Sequence, residues 1–277
     1  MGGLFLRKVG GAAAVSVQLQ KLLPLLFHPT DARWTRGHFR PVFITAVLTN
    51  LLSIIFFGVY VVEELSAVGA DQLPKLFIAI LSLETVVILT YLVTSASSAS
   101  SKGPAVVMQD GKTPDSVVSR IMARTTLVVS GTVVVIAGRD LLFPGTILHF
   151  IPRDDIYLEW TGALLHSPQD GTPEADTHGM ERDFFISEKF LSQYLALNML
   201  LLCLYKFVAA FGIRYRNDAG GPIQAKMIWK AQAVGNALIL YLFRMFSPAA
   251  MSASLDFRWH LMMIAYETLV LGLYGFL

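Results

Sequence analysis

The chain has 277 residues, 54% of them hydrophobic and 15% charged, with a formal net charge of +2. A soluble domain carries about 25% charged residues, so this composition and a mean hydropathy of +0.56 exclude an ordinary water-soluble enzyme and predict an all-α polytopic membrane protein. The single cysteine, Cys203, excludes an intrachain disulfide, a CxxC redox pair and a cysteine zinc site.

Residues 1–40 carry Arg7, Lys8, Lys21, Arg33, Arg36 and Arg40 against one acid, Asp31. An alanine-rich run, Gly10–Val15, and an apolar run, Leu22–Phe27, broken by Pro24 predict an interfacial helix on the inner leaflet, with Lys21 near the headgroups. The basic, acid-free start also fits an organelle targeting segment. Residues 41–277 form one transmembrane domain. A helix crosses a bilayer core of ~30 Å with ~20 apolar residues, and six stretches qualify: roughly 42–62, 75–95, 121–139, 191–213, 228–246 and 259–277.

The loops between them alternate in charge. Lys102, Lys112, Arg120 and Arg124 follow the second span, and Arg214, Arg216, Lys226 and Lys230 follow the fourth. Glu63, Glu64 and Asp71 follow the first, and the stretch 153–189 holds nine acids and three bases. Basic loops stay on the cytoplasmic or matrix side, so six crossings put both termini inside and the acidic loop, about 140–190, outside. Tyr157 and Trp160 in that loop suit headgroup depth.

Two carboxylates stand at the middle of spans, Glu84 in the second and Glu267 in the sixth. An ionised carboxylate there costs several kcal/mol, so each must be protonated, paired or beside water. Tyr91 and Tyr274 follow them by seven residues, and His260 precedes Glu267 by the same interval. Asn50, Asn198 and Asn236 lie in spans one, four and five. Arg244, near the outer end of span five, comes within reach of Glu267. These residues are the candidate intramembrane site. They read either as interhelical ties or as a proton or cation path. Spans two and six both read E-T-x-V-x-x-x-Y, but they are not equivalent members of a three-plus-three division, so the sequence predicts no repeat.

Arg36, Arg40, Lys206, Arg214, Arg216, Trp229 and Lys230, with Arg139, suit headgroup contacts, anionic lipids such as cardiolipin included. Ala231-xxx-Gly235 offers small residues for close helix packing. His149 and Asp154 stand in an H-x4-D spacing that resembles the catalytic pair of glycerolipid acyltransferases, where the histidine is base and the aspartate orients it. The match covers six residues, and the acidic phosphate-binding motif and α/β domain of that family are missing. His166, Asp170, His178 and Glu181 have no regular metal-ligand spacing, and neither a GxSxG nor a Walker loop occurs. The sequence therefore predicts no catalytic residue, cofactor, metal or nucleic-acid partner. It predicts a non-catalytic subunit of a larger membrane complex, with lipids and other membrane subunits as partners. A mitochondrial inner-membrane respiratory or ATP synthase assembly is the favoured setting. The alternative is a cation or proton channel or transporter using Glu84 and Glu267.

Overall fold

The computed structural model describes residues 2–26, 40–61, 72–98, 117–142, 186–213, 220–247 and 255–276. All the described elements are helical: α1 (Gly2–Leu26), α2 (Arg40–Ile55), α3 (Gln72–Ser98), α4 (Val117–Leu142), α5 (Ile186–Phe207), α6 (Gly220–Phe246) and α7 (Leu255–Phe276). Helices α2 and α5 run on into wider π-helical turns, Phe56–Val61 and Val208–Ile213. Pro41, Pro74 and Pro222 all fall in first helical turns, where no intrahelical N–H bond is lost. Threonine and serine are absorbed locally. Thr45, Ser53, Thr85, Thr132 and Thr268 each donate to the carbonyl four residues back, which satisfies the hydroxyl within its own helix.

Among the described residues, four helices are long and apolar enough to cross a membrane, over Arg40–Val59, Pro74–Thr94, Arg124–Leu142 and Phe190–Phe211. The described residues of the six stretches expected from the sequence fall on α2 to α7 and their π turns, and residues 62 and 277 lie outside the described residues. The α5 span is 67% buried and the α3 span 11%, so α5 is the central post and α3 an edge. On α3, Leu76, Ile80, Leu83, Val86, Val87 and Val93 are all exposed, an apolar face that suits lipid and not water.

The helices pack up and down. Helix α2 lies against α3, α4 against α5, and α6 against α7. Phe57 stacks on Phe77 at 5.7 Å and Phe243 on Phe257 at 5.3 Å, so each pair joins the end of one helix to the start of the next. Where the sequence lays residues 1–40 on the leaflet surface, α1 instead stands inside the bundle, between α5 and α6. Its inward face is Val9, Ala13, Ser16, Val17, Gln20 and Lys21. Small residues let it approach closely: a Cβ on Gly235 of α6 would sit 2.8 Å from the Ser16 Cβ, and one on Gly10 would sit 3.2 Å from the Tyr194 ring. Lys8 lies 3.9 Å over the Phe246 ring, and Lys230 lies 5.3 Å from the Phe276 ring. The starts of α1 and α7 thus share one end of the bundle, and Gly2 and Phe276 lie at opposite ends.

Candidate functional site

Glu267 sits near the middle of α7 and is 2% exposed. Its Oε2 accepts a 2.5 Å bond from the Lys206 ammonium of α5 and a 2.9 Å bond from Asn236 Nδ2 of α6. Lys206 is buried too. One carboxylate oxygen thus ties three helices, while Oε1 has no hydrogen-bond partner among the described residues. Beside the pair lies a cavity of about 20 Å³ lined by Cys203, Lys206, Asn236, His260 and Glu267, the space one water needs. The π turn of α5 begins at Val208, just past Lys206.

Glu84, at the middle of α3, has the same kind of company. Lys21 of α1 lies 3.3 Å from each of its carboxylate oxygens and donates to Asn50 Oδ1 of α2 in a short bond. Lys21 and Asn50 are buried, whereas the Glu84 side chain is 30% exposed. Lys21 of this second cluster borders a crevice of about 400 Å³ between α1, α2, α3 and α5, whose polar lining is Gln18, Lys21, Thr49, Ser53, Tyr194 and Asn198, without Glu84 or Asn50.

An isolated ammonium or carboxylate at this depth would cost several kcal/mol. Paired, each cluster is net neutral, and its asparagine supplies the hydrogen bond that a water molecule would give. The two clusters use that amide differently. Asn50 offers its oxygen to the ammonium and leaves Nδ2 unsatisfied among the described residues. Asn236 offers its nitrogen to the carboxylate. Each arrangement leaves a buried polar atom ready for another partner.

Of the residues the sequence nominated, Glu84 and Asn50 come together in one cluster, and Glu267 and Asn236 in the other, with His260 beside it. Asn198 donates 2.8 Å to the Tyr194 carbonyl and lines the crevice. Tyr91 packs on Phe43 at 5.0 Å, and Tyr274 packs against the main core; neither contributes to a cluster. Arg244 is exposed, and the buried cation on Glu267 is Lys206.

Several expected headgroup contacts are overturned. Lys206 is inside the bundle, because Glu267 compensates its charge there. Trp229 is 2% exposed, because the start of α6 turns that face into the core. Arg139 is buried, 3.4 Å from the Asp140 carboxylate. Arg40 and Lys230 are exposed, whereas Arg36, Arg214, Arg216, the His149–Asp154 pair and the histidines of the acidic loop lie outside the described residues. Lys21 was expected near headgroups, yet it is the partner of Glu84. The sequence carried a usable signal for both lysines: Lys21 precedes its glutamate by 63 residues and Lys206 precedes its own by 61.

No protein-family model, curated relative or solved structure matches the chain. Among the described residues no group of three His, Cys, Asp or Glu is drawn together as a metal site.

Proposed function

We propose that this membrane protein moves protons, or a small monovalent cation, across the bilayer, with Glu84 and Glu267 as the exchanging groups. The observation that carries this reading is that each glutamate, mid-helix, is met by a lysine from a second helix and is close to an asparagine from a third. Parting those helices while both groups are charged exposes two ions to a low-dielectric surround, at a cost of several kcal/mol each. Passing a proton from ammonium to carboxylate leaves two neutral groups that part cheaply. Where the proton sits thereby sets whether the helices stay together, which is the coupling a proton-driven carrier needs. Uptake of a proton by the carboxylate from one side gives the same neutral pair once the ammonium releases its own proton to the other side.

Seven crossings, α1 included, accompany this reading. The basic connections 27–39, 99–116 and 214–219 share the inner side, and residue 2 lies on the side of the acidic loop. The favoured setting stays a mitochondrial inner membrane, with the basic side toward the matrix. Exposed Arg40 and Lys230 suit anionic lipid headgroups.

The test is reconstitution of the purified chain in liposomes, with a pH-sensitive dye inside for protons and, in separate arms, sodium or potassium gradients. Flux falls by about 100-fold in Glu84→Gln or Glu267→Gln, the order by which loss of a positioned proton-transfer group slows such a step. A non-catalytic subunit of a larger membrane complex is the second reading. It is favoured by the full charge matching of both glutamates, which suits interhelical ties. No flux from the pure chain, together with co-migration in one large complex on a native gel, selects it.

A further inference from the structure

We infer that the chain carries one intramembrane exchange site twice, in two copies of a three-helix unit: α1–α3 and α5–α7. The duplication itself stands on geometry and sequence, whereas the role of the paired sites rests on the transport reading.

The correspondence runs helix by helix. The first helix of each unit brings the lysine, the second the asparagine and the third the glutamate. From lysine to asparagine is 29 residues in the first unit and 30 in the second, and from asparagine to glutamate 34 and 31, so the lysine-to-glutamate intervals, 63 and 61, nearly match. Ten residues before each asparagine stands a base that opens a short shared pattern, Arg40-Pro-Val-Phe43 and Lys226-Met-Ile-Trp229. Seven residues after each stands a phenylalanine, Phe57 or Phe243. Each stacks on a phenylalanine at the start of the unit's third helix, Phe77 or Phe257. The third helices share Glu-Thr-x-Val-x-x-x-Tyr, ending at Tyr91 and Tyr274. With α1 counted, α3 and α7 hold equivalent places, which a six-span count denies them.

The packing has the same symmetry. The two first helices, α1 and α5, touch each other, and each also touches the second helix of the opposite unit, α1 on α6 and α5 on α2. Gly10 meets Tyr194, and Lys21 and Leu201 line one crevice, so α1 and α5 run parallel. The units are therefore related by a pseudo-two-fold axis along the helices, the parallel form of repeat from which one class of transporters is built. The copies are caught in different states. The Lys206–Glu267 site is buried beside a one-water cavity, whereas Lys21 of the other site borders the 400 Å³ crevice. The ligand class is the same at both, a proton or a monovalent cation exchanged at a carboxylate held by an ammonium and an amide.

The experiment has two arms. In a Cys203→Ala background, Gly2→Cys and Leu277→Cys are labelled with a membrane-impermeant maleimide in sealed vesicles. Labelling of one from outside, and of the other only after permeabilisation, is expected. Labelling of both from the same face overturns the duplication. In the liposome assay, Glu84→Gln and Glu267→Gln then lose flux by the same order; loss at one and wild-type flux at the other overturns the equivalence of the sites. If the unaltered chain carries no flux, the exchange role falls for both sites, and the labelling arm still decides the duplication.

Discussion

Lys206→Met lowers stability by about 3–5 kcal/mol, the cost of leaving one member of a buried ion pair uncompensated. The lost attraction is the smaller part. Among the described residues, Glu267 would keep Asn236 as its only bonded donor, inside a core where the residue is 2% exposed. The double variant Lys206→Met/Glu267→Gln removes both charges, leaves an amide beside an amide, and recovers most of the loss. Thermal unfolding of the purified protein in detergent or nanodiscs measures this. At about 2–4 °C per kcal/mol, the single change shifts the midpoint by roughly 10 °C, and the double change by much less. A Lys206→Met protein that melts with the unaltered one would mean that Glu267 is already neutral and that the pair binds no helices together.

Gly235→Ala and Gly272→Ala move stability in opposite directions, although both replace a helical glycine. A Cβ at Gly235 falls 2.8 Å from the Ser16 Cβ, with the Ser16 Cα 3.8 Å away. A rotamer change cannot clear a Cβ, so α1 must retreat from α6. Overpacking of this kind costs about 1–3 kcal/mol. At Gly272 nothing lies within 4 Å of the added carbon, and alanine gains up to about 1 kcal/mol of helix propensity. Ser16→Gly added to Gly235→Ala returns the lost space and most of the stability. Equal midpoints for the two alanine variants would show that α1 does not pack on α6 as described.

The positions of the apolar helices were legible because each span carries its own signal, the run of residues that water rejects. Partnership was not, because it lies between segments. Lys206 read as a headgroup anchor since nothing within a turn of it is acidic; its carboxylate comes from another helix. Trp229 read as an interfacial ring from its place beside Lys230, and only the packing of α6 shows that its face turns inward. Helix α1 escaped notice for a related reason. Three bases and Pro24 depress its apolar signal, and its real qualification is a strip of glycine, alanine and serine that fits against α5 and α6. The repeated E-T-x-V-x-x-x-Y stretch was visible from the start, but its meaning depended on counting that first helix.

Helix α4 belongs to neither three-helix unit, and parity explains its presence. A unit with an odd number of crossings ends on the face opposite to the one on which it began. A second unit fused directly to the first would enter the membrane upside down. One spare crossing restores the heading, so Lys21 and Lys206 approach their glutamates from the same side. Excising α4 and its flanking connections would turn a side-by-side pair into a head-to-tail one, reversing the second ammonium–carboxylate dipole relative to any voltage across the membrane.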